Sequence, residues 1–170
     1  MILVLMGVTA SGKTTVGKLL AAEMGWQFAE GDDFHSEANR NKMHKGIPLN
    51  DEDRAPWLAS MHEVLLGWQR SGTSGLLACS ALKQSYRDAL SAQIPPSDIR
   101  FVLLEVPREI LETRLLNRRG HYMNPGLLQS QLDTLEVPSD AILILAEREP
   151  PQIAREILEQ LGLKEEKPSL

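Results

Sequence analysis

Residues 7–14 read GVTASGKT and follow directly on the apolar run ILVLM of residues 2–6. Glycine, four residues, glycine, lysine and threonine make a spacing that wraps a phosphate when a strand precedes it and a helix follows. Gly7 and Gly12 let the backbone turn tightly. The amides of the intervening residues, with Thr9, Ala10 and Ser11 among them, then converge with those of the helix start into an anion nest. Lys13 is placed to reach the β- and γ-phosphates of ATP, and the Thr14 hydroxyl to ligate Mg²⁺. Thr15 is read as continuing the helix cap.

A triphosphate site does not name the acceptor, because GTPases, ATPase motors and small-molecule kinases share it. The chain has no N-K-x-D stretch with which to read guanine. Residues 76–83 read LLACSALK, without the acidic strand end a motor requires, and 170 residues is short for a motor. A compact kinase for a small acceptor is the class that remains.

Such an enzyme needs a group that orients the acceptor hydroxyl and takes its proton, and cations that stabilise the moving phosphoryl group. Ligands of an open parallel sheet sit beyond the carboxyl ends of its strands. An apolar run ending near residue 29 puts Glu30, Asp32, Asp33 and His35 at that edge. Asp32 is the candidate base, and Glu30 the candidate to hold Mg²⁺ through water. His35 either binds substrate or caps a turn. Arg54 can clamp a carboxylate with its planar fork or form a surface pair with Asp51 or Asp53. Trp57 belongs to the core or lends one face to a sugar pocket. Arg114, Arg118, Arg119 and His121 fall within eight residues, with Arg114 and Arg118 on one helical face. Like charges so clustered pack stably when an anion joins them, as when a lid closes over a nucleotide and excludes water. Gly120 is the candidate hinge.

These residues need elements to position them. Apolar runs recur at 2–6, 75–79, 101–106 and 141–145, with a weaker one at 26–29. Several are continuous, as strands buried on both faces are. Helical stripes lie between them. Val16, Leu19, Leu20 and Met24 make the first. Trp57, Met61, Val64, Leu65 and Trp68 make the second, opened by Pro56. Pro107 opens a third with Ile110, Leu111 and Leu115 inward. Leu128, Gln131, Leu132 and Leu135 follow Asn124-Pro125. Ala154, Ile157, Leu158 and Leu161 end at Gly162. Alternating strands and helices predict an α/β fold of three layers: a five-stranded parallel sheet, helices on both faces and a mobile lid over 118–135. No linker divides residues 1–170, which read as one domain.

Composition agrees. With 42% hydrophobic and 24% charged residues the chain is ordinary for a globular protein, and a net charge of −5 gives it no basic character suited to nucleic acid. No apolar stretch approaches a membrane span, and MILVLM is too short for a signal peptide. A single cysteine, Cys79, fits a reducing compartment, so a cytoplasmic enzyme is expected. The charged end at 164–170 is expected to fray.

GVTASGKTT, GDDFH, NKMHKGIPLNDEDRAPWL, CSALKQSYRD and RRGHYMNPGLLQSQLDTLE resemble, in order and spacing over roughly residues 3–138, the successive signature blocks of the gluconokinase family. The resemblance implies a P-loop small-molecule kinase that uses MgATP to phosphorylate D-gluconate at its 6-hydroxyl, often as a homodimer. A kinase for another small hydroxy acid such as shikimate, or a silent nucleotide-binding protein, is the alternative. The resemblance makes Asp32 the acceptor-orienting aspartate and brings His35, Arg54, Ser80, Lys83 and Arg87 to the substrate. Any of Arg54, Lys83 and Arg87 could hold the gluconate carboxylate. Arg118 becomes the lid arginine, Arg114 sits at the adenine or phosphate side, and Gln131 could hydrogen-bond acceptor hydroxyls. The chain departs from the family pattern at Ala10, usually Gly, whose methyl is tolerable if its φ is negative. It departs again at Glu30, usually Asp, and in the stretch ILILAERE at 142–149.

Overall fold

A computed structural model of the chain describes residues 1–118 and 125–163. The described residues form β1 (Ile2–Met6), α1 (Lys13–Met24), β2 (Gln27–Glu30), α2 (Glu37–His44), α3 (Asp51–Ser71), β3 (Gly75–Ala78), α4 (Gln84–Ser91), β4 (Ile99–Glu105), α5 (Arg108–Asn117), α6 (Pro125–Thr134), β5 (Ile142–Leu145) and α7 (Pro150–Leu161). A short 3₁₀ turn covers Gly31–Phe34. The five strands pair in parallel in the order β2-β3-β1-β4-β5, the parallel sheet that the alternating pattern predicts.

β1 is central because ILVLM buries both faces, and every residue of it is inaccessible to solvent. Its side chains alternate. Ile2, Val4 and Met6 join Leu77, Leu103, Trp57, Met61, Leu65 and Leu90 under α3 and α4. Leu3 and Leu5 join Leu76, Val102, Leu104 and Ile144 under α1 and α7. The chain leaves β1 for β2 on one side, and β4 lies on the other. The loop after β1 therefore opens at the point where strand order reverses, where open α/β sheets bind ligands.

The structure revises several element boundaries. Pro56 does not open the second stripe's helix, because α3 starts five residues earlier. Asn50 accepts from the Asp53 amide, and the Asp53 carboxylate accepts from the Asn50 amide, a reciprocal capping box. Pro56 lies inside that helix, where its missing N–H forfeits one bond. Glu30 is the last residue of β2 rather than a residue beyond it. β4 starts at Ile99, two residues before the expected run. α2, started by the Ser36 side chain accepting from the Asn39 amide, has no apolar stripe to announce it. Among the described residues no helix is long and apolar enough to cross a membrane. Met61 has no exposed surface where α3 meets β1 and β3. Met61→Ala is expected to cost about 2–5 kcal/mol of stability, read from the urea midpoint, because a rigid core closes only partly over the void.

Candidate active site

The loop after β1 is shaped by what holds it from outside. At Gly7, φ is +145°, and a Cβ would meet Ser11 Oγ at 2.8 Å and the Leu104 carbonyl at 3.0 Å, so only glycine passes here. Arg114 of α5 donates from Nη1 to the carbonyls of Ala10 (3.1 Å) and Ser11 (3.4 Å), and from Nη2 to Ala146 just after β5 (2.9 Å). Because a peptide's N–H lies opposite its C=O, tying down the Ser11 carbonyl turns the Gly12 amide the other way. The N–H groups of Ala10, Gly12, Lys13, Thr14 and Thr15 have no protein acceptor among the described residues. The start of α1 carries no side-chain cap. Thr15 is therefore its third residue and not part of a cap, and the amides it would have satisfied are left for an anion.

Ala10 does not meet the condition set from sequence: its φ is +63°, in the left-handed region. Its methyl is buried with Val8, Leu82, Leu111 and Leu128, and this packing offsets a backbone strain of about 1–2 kcal/mol.

Lys13 donates from Nζ to the Val8 carbonyl at 3.0 Å. Burial pushes its pKa below the ordinary lysine range, and the charges of Asp32 and Glu30 oppose that shift while Arg118 adds to it. The charges of both carboxylates and of the arginine thus reach the lysine. Thr14 Oγ1 donates to Glu30 Oε2 at 2.5 Å. The extra methylene of Glu30 carries its carboxylate onto the Thr14 hydroxyl. Cys79, close behind, is pushed up to about 12 by burial and is an inert neutral thiol.

The acceptor edge is a layered platform. A Cβ on Gly31 would meet the Ala78 carbonyl at 2.7 Å, so this residue lets the 3₁₀ turn lie flush on the end of β3. Trp57 is buried, and its Nε1–H donates to the Gly31 carbonyl at 2.7 Å. The His35 ring stacks on Trp57 with centroids 4.4 Å apart and planes 11° apart. Asp32 stands exposed on this turn. His35 is buried, and its Nδ1 has no partner among the described residues.

Beside it, Tyr86 links the starts of α3 and α4. Its hydroxyl donates to Asp51 Oδ1 at 2.6 Å and accepts from Arg54 Nη1 at 3.1 Å. Arg54 also donates to the Leu49 carbonyl at 2.6 Å. The Arg54 guanidinium and Lys83 Nζ lie 5.4 Å and 5.5 Å from the Tyr86 ring centre. Lys83 pairs with Asp51 at 3.0 Å. The hydrogen bond from Tyr86, then that from Lys83, holds the Asp51 carboxyl below the usual range. The surface pair weighed for Arg54 is taken instead by Lys83 with Asp51 and by Lys42 with Asp53. Arg87 is buried, donating to the carbonyls of Ala81 and Leu82 and to Gln84 Oε1. Ser80 is half-buried after β3, and its carbonyl faces the Gly7 amide at 3.4 Å.

Gln131 lies against the phosphate loop: its Oε1 accepts from the Thr9 amide at 2.6 Å. Arg118 ends α5 and is exposed. Arg119, Gly120 and His121, like the tail at 164–170, lie outside the described residues. Tyr86 and the support given by Trp57 were not read from sequence as parts of the site. The signal for Tyr86 was its position one helical turn after Lys83, which joins it to the same face.

Burial holds the His35 pKa below its ordinary 6.5; Asp32 opposes this, and Arg54 and Arg40 add to it. The unfolded chain therefore binds more protons as pH falls from 6.5, and stability declines until the native value is passed. In His35→Gln this part of the slope is expected to flatten in urea titrations across pH. A slope unchanged by the substitution contradicts a buried neutral imidazole.

Residues 2–138 match the family model described as an AAA domain. A probable gluconokinase of Rattus norvegicus is 48% identical, covering 94% of this chain and 97% of that protein. The gluconokinase of Gluconobacter oxydans (strain 621H) is 46% identical over 92% of this chain and 88% of its own. The crystal structure of a gluconokinase from Sinorhizobium meliloti 1021 matches with a TM-score of 0.83 at 41% identity, covering 94% of this chain and 90% of that one. Identity at this level over more than nine-tenths of the chain means that the chain belongs to the gluconokinase family.

Proposed function

We propose that the chain transfers the γ-phosphoryl group of ATP to the 6-hydroxyl of D-gluconate, giving 6-phospho-D-gluconate and ADP. The observation that carries this reading is that the half-buried Lys13 ammonium stands at the mouth of unpaired amides and within reach of the charge of Asp32. Donor and acceptor machinery address one space.

In this reading the open amides of the loop and α1 hold the phosphates, and Lys13 spans the β- and γ-oxygens. Asp32 accepts the proton of the 6-hydroxyl while that oxygen bonds to the γ-phosphorus and the bond to the β–γ bridging oxygen breaks. Arg118 stabilises the charge on the moving phosphoryl group. Arg54 takes the gluconate carboxylate. Its Nε and Nη2 have no partner among the described residues, whereas Lys83 is paired with Asp51 and Arg87 is turned to carbonyls.

Thr14 and Glu30 offer hard oxygen donors in contact with each other, the chemistry Mg²⁺ prefers. Mg²⁺ keeps waters and phosphate oxygens among its ligands, so few protein oxygens are needed. Mg²⁺, when bound there, neutralises charge on the β- and γ-oxygens. The buried thiol of Cys79 fits a reducing, cytoplasmic setting.

A coupled assay of ADP release over a panel of sugar acids and shikimate is expected to show turnover with gluconate alone. Turnover with shikimate instead, or nucleotide binding without turnover on any acceptor, overturns the proposal. Asp32→Ala is expected to lower kcat by about 10²–10⁴-fold with the far-ultraviolet circular dichroism unchanged. Lys13→Ala is expected to lower kcat by about 10²-fold or more. Near-full turnover in Asp32→Ala excludes it as the base.

A further inference from the structure

One peptide group in the phosphate loop is held at both ends. The Thr9 N–H donates to Gln131 Oε1 at 2.6 Å, and the carbonyl of the same peptide, that of Val8, accepts from Lys13 Nζ at 3.0 Å. A chain of two hydrogen bonds through one planar unit thus joins α6 to the lysine. Its direction is fixed by chemistry. A backbone N–H can be met only by the oxygen of the carboxamide, so the amide end of Gln131 stays unpaired among the described residues.

We propose that Gln131 is a positioning residue for Lys13, acting through the Val8–Thr9 peptide. Because the peptide is rigid and planar, holding its N–H sets the direction of its C=O. An amide whose N–H is engaged also carries a carbonyl that accepts more strongly. The Val8 oxygen is thereby a fixed and strengthened anchor for a flexible side chain that must stay over the β- and γ-phosphates. The platform under Gln131 is firm. Leu128 and Leu132 of α6, with Leu135 just beyond its end, cluster with Val8 and Ala10 of the loop. At the far end of α6 the Glu136 amide donates to the Leu82 carbonyl at 2.8 Å, and the Glu136 carboxylate accepts from the Gln84 amide at 2.7 Å.

This assignment moves Gln131 from the acceptor hydroxyls, its expected partners from sequence, to the nucleotide side. It rests on Lys13 binding the nucleotide phosphates, and not on the identity of the acceptor. A protein that binds nucleotide but ignores gluconate defeats the functional proposal and leaves this one testable.

The test uses the full chain and Gln131→Met, which keeps length and removes the acceptor. Calorimetric affinity for the nonhydrolysable analogue adenylyl imidodiphosphate with Mg²⁺ is expected to fall about tenfold, a modest coupling for a hydrogen-bonded network. The KM for gluconate is expected to stay within about twofold, as for a group that does not touch the acceptor. In the Lys13→Ala background the same replacement is expected to change analogue affinity by less than about twofold, because residues acting as a unit are not additive. In the unsubstituted protein, hydrogen exchange measured by NMR is expected to be slower at the Thr9 amide than at the Ala10 amide. Unchanged analogue affinity, a gluconate KM raised as much as that for nucleotide, an equal loss in both backgrounds, or a Thr9 amide exchanging as fast as that of Ala10 overturns the assignment.

Discussion

A half-buried ammonium and a row of backbone amides without acceptors crowd into one turn of this chain, and little else in the structure can be understood apart from them. Taken out of water, such groups cost free energy until an anion meets them. Only the Ser11 amide closes a turn within the loop, onto the Val8 carbonyl at 3.3 Å, and the rest of the loop is held open from behind. Arg114 takes two of its carbonyls, Gln131 takes one of its amides, and Val8 and Ala10 are packed under leucines of α5 and α6. Even the left-handed Ala10 persists because its surroundings leave it no alternative. The fold stores an arrangement complementary to a polyphosphate in advance of binding, which is what electrostatic preorganisation requires.

The acceptor side is rigid for a different reason. Asp32 is exposed, yet the turn that carries it is pinned by Gly31 against β3 and by the Trp57 indole, with His35 stacked on the same ring. An exposed carboxylate on a buried support keeps its direction while staying open to solvent. The neighbouring ring of Tyr86, flanked by Arg54 and Lys83, gathers positive charge where a carboxylate can be received, while Asp51 keeps the cluster balanced in its absence.

Much of this was legible in the sequence wherever the signal is local. GVTASGKT between an apolar run and a helical stripe states both the loop and its position in the sheet, and the continuous runs at 2–6 and 75–79 state the buried parallel strands. Helical stripes failed where helices are short or polar. α2 and the first turn of α3 present charge on all sides and are set by capping, as Ser36 and Asn50 show. The linked side chains were harder still. Thr9 and Gln131 lie 122 residues apart, Ala10 and Arg114 104, and Asp51 and Tyr86 35. No periodicity records such pairs, because they exist only once the sheet has brought its carboxyl edge together. The partner of Gln131 could not be read from a glutamine on a half-buried helical face.

The claim at the centre is that one preorganised nest and one aspartate serve a single transfer in line. A crystal structure with D-gluconate, Mg²⁺ and a nonhydrolysable ATP analogue tests it most directly. The account predicts that the gluconate 6-oxygen lies within about 2.6–3.2 Å of an Asp32 carboxylate oxygen. That oxygen should also face the γ-phosphorus opposite the bridging oxygen, with Lys13 on the β- and γ-oxygens. A 6-hydroxyl turned away from Asp32, or a γ-phosphate out of line with it while both ligands are bound, would contradict it.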